Sequence, residues 1–387
     1  MIKKIVTAII CIASVGLYAQ NGSVSPYSYF GVGELQSKGT VENQMMGGIG
    51  MFADSIHVNL KNPAAYSRLG VQYGEDFGNT TYTAGISHTN LSFENNFEKQ
   101  TNSVTKLEYI SVAMALNKVY LSTGYEIMKN LSIGATASFN FGTLENNRIQ
   151  TIENLQLGTL DKRSSKVNGM DFNYAMNYTP MIKDKYRLYT SVRVNTQANL
   201  TSKNEKEIGS FSNSTGANIE VVDVNLDAVN LRHTELKIPT ITTLGLGIGE
   251  DMKWFVGAEY SFQGMGSFKN DFIDAENLEY QDASTYAFGG FFIPDHSAFS
   301  GYLKRISYRA GLRFEKTGML IKDHEINNFG ITFGFGLPMR GSFSNLNLGF
   351  EAGRKGTKAG DLIEENYFKF NLGLSLNDIW FRKRRIN

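Results

Sequence analysis

Four successive segments near the end of the chain alternate apolar and polar side chains, and the polar side carries residues that a dry core rejects. In Tyr367 to Phe381, residues Phe368, Phe370, Leu372, Leu374 and Leu376 fall on one face at a spacing of two, with Lys369, Asn371, Gly373, Ser375 and Asn377 on the other. The preceding segment sets Leu346, Leu348, Phe350 and Ala352 against Asn345, Asn347, Gly349, Glu351 and Gly353. Before it, Ile331, Phe333, Phe335 and Leu337 alternate with Gly330, Thr332, Gly334 and Gly336. Earlier still, Ile306, Tyr308, Ala310, Leu312 and Phe314 alternate with Ser307, Arg309, Gly311, Arg313 and Glu315. Successive strand side chains point to opposite faces. One such strand fits a soluble sandwich, but four in a row with glycine and charge on one face do not. A lipid-facing apolar side and a wet polar side fit them all. The pattern predicts an all-β fold, a transmembrane antiparallel β-barrel.

Composition agrees. Charged residues are 19% and mean hydropathy is −0.24, as expected when apolar residues are diluted one in two along membrane strands. The 39 Gly, 26 Phe and 19 Tyr against 6 Pro fit a strand-rich chain with aromatic interface girdles. At the N-terminus, Lys3 and Lys4 precede an apolar run from Ile5 to Leu17, and Leu17-Tyr18-Ala19 offers a small-residue cleavage site before Gln20. Residues 1–19 therefore read as a secretory signal peptide, too short to span a membrane. The single cysteine, Cys11, lies inside that run, so neither a lipid anchor nor a disulfide is expected. Loss of Lys3 and Lys4 turns the net charge from +1 to −1, which gives no reason to expect nucleic acid as a partner. An exported chain with alternating strands and no long apolar helix points to the outer membrane of a Gram-negative bacterium.

Residues 20–69 do not read as strands. Ser25-Pro26-Tyr27-Ser28-Tyr29-Phe30, Met45-Met46-Gly47-Gly48-Ile49-Gly50 and Asn62-Pro63-Ala64 are glycine-rich or turn-forming, with interspersed aromatics. Irregular backbone at membrane depth must be buried in protein or line a wet cavity. The segment is therefore expected as an N-terminal plug in the barrel lumen, the alternative being a loose periplasmic leader. Residues 70–381 are expected to form the barrel, and 382–387 a basic periplasmic tail. Fourteen strand-like segments lie near 70–78, 80–93, 106–117, 119–127, 131–142, 169–180, 186–200, 236–249, 253–263, 284–294, 305–315, 329–339, 344–354 and 365–377. From the fifth on, long gaps (143–168, 201–235, 264–283, 316–328, 355–364) alternate with short ones (181–185, 250–252, 295–304, 340–343), as outer loops alternate with periplasmic turns. Gly134, Gly245, Gly247 and Gly257 are expected at bulges or kinks.

With its Asn62-Pro63-Ala64 plug, its strand count and long loops after strands five and seven, the chain resembles the outer-membrane long-chain fatty-acid transporter (FadL-type) family. Pro239-Thr240-Ile241-Thr242-Thr243-Leu244-Gly245-Leu246-Gly247, followed by Trp254 to Tyr260, is similar to that family's central segment. The opening Ser25-Pro26-Tyr27-Ser28 and the closing Trp380-Phe381-Arg382-Lys383-Arg384-Arg385 resemble the Bacteroidota branch, where members also serve as subunits of protein-export and barrel-assembly machines. The basic tail after Phe381 departs from the family's usual terminal aromatic. The resemblance implies diffusion of a hydrophobic, fatty-acid-like small molecule through the barrel without a nucleotide. The alternative is a scaffold subunit with an outer-membrane or periplasmic protein partner.

No catalytic constellation stands out. His57, His88, His233, His296 and His324 are scattered without metal-ligand spacing, and Gly245-x-Gly247-x-Gly249 lies in a strand, not at a helix start. No catalytic residue, metal or cofactor is expected, and membrane lipid is an expected contact. Lumen-side Arg309, Arg313, Glu315, Glu351 and Lys369 are candidates for binding the plug or a ligand carboxylate, or for simply pairing with one another. Phe211, Phe268 and Phe272 lie in long gaps. Phe268 and Phe272 are candidates for an outer apolar capture surface, the plainer reading being that they pack the loops together.

Overall fold

The computed structural model describes residues 27, 39–53, 57–68, 80–101, 104–152, 154–272, 278–339 and 345–375. The signal peptide, the 70–78 strand, the basic tail and much of the 20–69 segment fall outside those residues. Strands dominate, in one antiparallel sheet. In chain order they are β1 (Thr80–Thr101), β2 (Val104–Met128), β3 (Leu131–Ile152), β4 (Leu157–Tyr178), β5 (Met181–Ile182), β6 (Tyr186–Asn195), β7 (Ala198–Ser212), β8 (Asn218–Asp223) and β9 (His233–Ile238). There follow β10 (Ile241–Glu250), β11 (Trp254–Gln263), β12 (Lys269–Asn270), β13 (Leu278–Tyr280), β14 (Ala283–Phe292), β15 (Ser307–Ile321), β16 (His324–Pro338), β17 (Asn345–Gly356) and β18 (Glu364–Ser375).

The ladder runs β1–β2–β3–β4 and then divides. The Asn173–Tyr178 end of β4 pairs with β6, and its Leu157–Asn168 half pairs with β7. From β6 the pairing continues through β10, β11, β14, β15, β16, β17 and β18. Two tight turns hold both central residues at positive φ, Lys183-Asp184 (52° and 51°) and Lys322-Asp323 (49° and 64°), a geometry that matches the right-handed strand twist.

Exposure is inverted relative to a soluble protein. Leu372 is 58% exposed and Phe333 56%, while Thr332 is 0% and Asn347 1% exposed. The alternation read from the sequence sets both faces, and the outward apolar face is one that hydrocarbon accepts.

Three expectations about the strands change. Segments 106–117 and 119–127 are one strand, β2, because Asn117-Lys118 stays in register with His88-Ser87 on one side and Phe141-Asn140 on the other. The polar pair looked like a turn, but Lys118 reaches the Asp171 carboxylate at 2.7 Å. The gaps 94–105, 143–168 and 316–328 are largely strand extension: β1 to β4 run 22 to 25 residues, far beyond the roughly ten that cross a bilayer. The register shifts among the described residues fall at Glu126/Met128, Ser210/Phe211 and Lys316/Leu320, not at Gly134, Gly245, Gly247 or Gly257.

Candidate functional site

The described residues 39–53 and 57–68 lie against the polar face of the sheet and touch strands near both of its ends. They form a short helix α1 (Val41–Gln44), an irregular stretch through Met51, and a 3-10 turn at Pro63–Arg68. Side chains at Gly124 and Gly134 would collide with Pro63, and one at Gly373 with Val41, so the segment lies close against β2, β3 and β18. A Cβ at Gly289 or Gly311 would strike the backbone of Met46 and Gly47. Gly124, Gly134, Gly289 and Gly311 are thus sites of close backbone approach. Gly245 and Gly257, expected at kinks, instead make room for Met51.

Polar groups fix the segment at several points. Asn62 is fully buried: its amide donates to Asn177 Oδ1 at 2.9 Å and Ser191 Oγ at 3.2 Å, and its oxygen accepts from the Ala64 N–H at 3.1 Å. Those bonds and the Pro63 contact account for Asn62, Pro63 and Ala64 as a unit. Thr332 accepts from the Gly47 N–H at 3.0 Å and donates to the Met45 carbonyl at 3.1 Å. Glu259 on β11 accepts from Arg193 Nη2 at 2.6 Å and from the Gly50 N–H at 2.9 Å. Arg193 also donates to the Lys61 carbonyl at 3.3 Å, and the Lys61 ammonium to the Gly48 carbonyl.

The five charges singled out in the sequence divide into two groups. Arg313 pairs with Glu351, and Glu351 also accepts from the Tyr367 hydroxyl at 3.0 Å. Glu315 joins this network through Asn328 at 3.2 Å, and the Lys369 ammonium lies 4.7 Å from the Tyr367 ring centre. Arg309 turns toward the segment: it donates to Asn347 Oδ1 at 3.1 Å, and the Asn347 amide donates to Glu42. Glu42 also faces His57 at 3.6 Å. Burial pushes the Glu42 carboxyl up, but His57, Thr40 and Arg309 outweigh it and hold the pKa below the ordinary glutamate value.

An apolar compartment adjoins these polar contacts. Met46, Ile49, Met51, Tyr189 and Phe255 are buried together, with Phe52 and Phe291 against them. The Phe52 ring sits 5.4 Å from Tyr189, 4.8 Å from Phe255 and 4.9 Å from Phe291. On the outer side of the same wall an apolar groove of about 280 Å³ is lined by Leu244, Leu246, Ala258, Tyr260, Tyr286 and Phe288. Gly245 borders that groove, and a Cβ built on it would stand 3.1 Å from Met51. The wall between groove and compartment is one glycine thick at this point.

The loop phenylalanines lie elsewhere. Phe268 packs on the cluster of Leu144, Val167, Ala198, Leu200 and Leu236, with its ring 4.6 Å from Tyr280, and Phe272 is only 5% exposed. Phe268 thus packs against the extended strands and Phe272 is buried. Sequence reasoning missed Glu259, Arg193, Lys61 and Glu42. A charge in an otherwise apolar-and-glycine strand was the available signal for Glu259, whose partners lie 66 and 209 residues away.

No curated protein matches this sequence. Among solved structures, similarity extends to the toluene transporter TbuX of Ralstonia pickettii at 11% identity and a TM-score of 0.49, covering 82% of this chain and 94% of that one. A FadL homologue of Pseudomonas aeruginosa matches at 12% identity and 0.49, covering 82% and 89%. The CymD monoaromatic hydrocarbon channel matches at 14% and 0.48, covering 82% and 93%. The family described as BamG matches residues 1–116 and 115–387, and so takes in both the N-terminal segment and the sheet that holds it. The chain belongs to the BamG family.

Proposed function

We propose that this chain is a closed, non-enzymatic β-barrel of the outer membrane, with residues 20–69 as its lumen plug, and that it passes hydrophobic small molecules by diffusion. The observation that carries this reading is the glycine-thin wall at Gly245. It separates the apolar compartment around Phe52 from the apolar groove facing the lipid. A greasy solute is disfavoured in a charged lumen but finds continuous apolar surface along this line. Phe52 and Met51 occupy the inner end, so passage requires the plug to shift there while Asn62, Thr332 and Glu259 hold it elsewhere. Arg309, Arg313, Glu315, Glu351 and Lys369 fill and neutralise the lumen in this scheme, and Arg309 steadies the plug through Asn347 and Glu42. The bilayer supplies the lipid that the outward face requires.

The experiment is uptake of a radiolabelled fatty acid into liposomes containing the full chain. Ala258→Trp fills the groove from the lipid side and is expected to lower uptake severalfold with barrel folding intact. Unchanged uptake in that variant rejects the path.

A second reading is a scaffold subunit of an outer-membrane export or assembly machine with a protein partner. It is favoured by the density of the plug's attachments, from Val41 at β18 to Pro63 at β2, which suit a permanently closed barrel. Uptake no greater than in protein-free liposomes, together with a stable membrane complex isolated in mild detergent, decides for the scaffold.

A further inference from the structure

The strand β8 is the exposed edge of the sheet extension. All six of its residues are exposed, and among the described residues it pairs with β7 alone. The register couples Asp223 to Glu207, Val222 to Ile208, Val221 to Gly209 and Glu220 to Ser210. The Val224 N–H donates to the Lys206 carbonyl at 2.8 Å, which fixes the alternation. Val224, Val222 and Glu220 turn their backbone groups to β7, and Val221 and Asp223 turn theirs outward. Natural edge strands are usually blunted by lysine, proline or a covering element. Asn218-Ile219-Glu220-Val221-Val222-Asp223 has neither lysine nor proline, and Ile219, Val221 and Val222 are 61%, 41% and 54% exposed.

We propose that the β8 edge takes an added strand from a partner protein, an extended segment with two basic residues three apart and β-branched residues between them. Outward backbone groups at Val221 and Asp223 supply the ladder. The carboxylates of Glu220 and Asp223, on opposite faces of the strand, set the charge of the guest. A second copy of this chain is a poor occupant, because β8 against β8 sets two strands of the same negative sign side by side. The inference is independent of the solute path and holds for either reading of function.

The test uses the full chain in detergent micelles and the synthetic peptide Thr-Val-Lys-Val-Thr-Lys-Val-Thr, followed by hydrogen exchange. Bound peptide is expected to protect the Val221 and Asp223 amides. Glu220→Lys with Asp223→Lys is expected to weaken binding about tenfold and to admit the peptide with glutamates in place of its lysines. Val221→Pro removes an outward donor and is expected to abolish binding, while the charge reversal tests the edge without altering the backbone. No added protection of these two amides at millimolar peptide overturns the proposal. So does concentration-dependent dimerisation of the full chain that Val221→Pro removes, which assigns the edge to a second copy.

Discussion

Removing the Glu259 carboxylate tests how the N-terminal segment is held. Glu259 bonds both the Arg193 guanidinium and the Gly50 N–H, and the two ionic side chains are only 4% and 9% exposed. In Glu259→Ala, Arg193 keeps a single acceptor in the segment, the Lys61 carbonyl at 3.3 Å, and the Gly50 N–H loses its own. Breaking one member of a buried pair costs about 3–5 kcal/mol, most of it the uncompensated charge left behind. Water relieves that charge when the segment lifts, so the penalty falls on the docked state. The docked-to-lifted ratio should therefore drop by roughly two to three and a half powers of ten. Ion conductance of single barrels in planar bilayers reports the lifted state, and hydrogen exchange at Gly50 and Met51 reports it independently. Replacing both partners, Arg193→Met with Glu259→Leu, removes charge and countercharge together and should restore docking to within about 1 kcal/mol of the original. Wild-type conductance and exchange in Glu259→Ala would refute the reasoning, as would a double variant as open as the single one.

Three other outcomes are expected. Leu372→Arg puts charge on the outward face and should cost about 2–4 kcal/mol in barrel stability, read as loss of heat-resistant migration, whereas Asn371→Arg on the inner face should be mild. A cysteine at Thr215 should react with an impermeant thiol reagent on intact cells and one at Lys183 should not; the reverse result would invert the orientation. Because the Glu42 pKa is held below its ordinary value, that carboxylate stabilises docking above the ordinary value, and this is lost as pH falls through the depressed one. Exchange at residues 41–44 should rise on acidification in the wild type, and Glu42→Gln should flatten the response.

The outward face was legible because a period of two over four strands leaves one solution for lipid and water, and Leu372 and Phe333 lie where that rule puts them. The polar face resisted, since its meaning depends on what packs there. Gly134, Gly245 and Gly257 read as bulges or kinks in strands until Pro63 and Met51 are placed against them. The Lys118 turn was misjudged for a related reason: nothing within reach in the sequence announces Asp171 as its partner, 53 residues on. The Asn62-Pro63-Ala64 motif stood out because its bonds are partly local, the Asn62 oxygen capping Ala64 two residues later. Glu259 did not stand out, since both of its contacts are remote.

The glycine-for-backbone contacts bear on the order in which the protein is made. Glu42, among the earliest residues of the segment, is bonded by Asn347, 305 positions later, and Val41 nests on Gly373 in the final strand. A wall that leaves no side-chain clearance around Met46, Gly47 and Pro63 cannot admit the segment as an afterthought. On the proposed plugged-barrel reading, the strands are laid around the segment as around a former. On that reading the contacts of α1 with β17 and β18, of very long sequence separation, are expected to be slow to form. A chain truncated before β17 lacks Asn347 and Gly373 together, and with them the contacts of Glu42 and Val41.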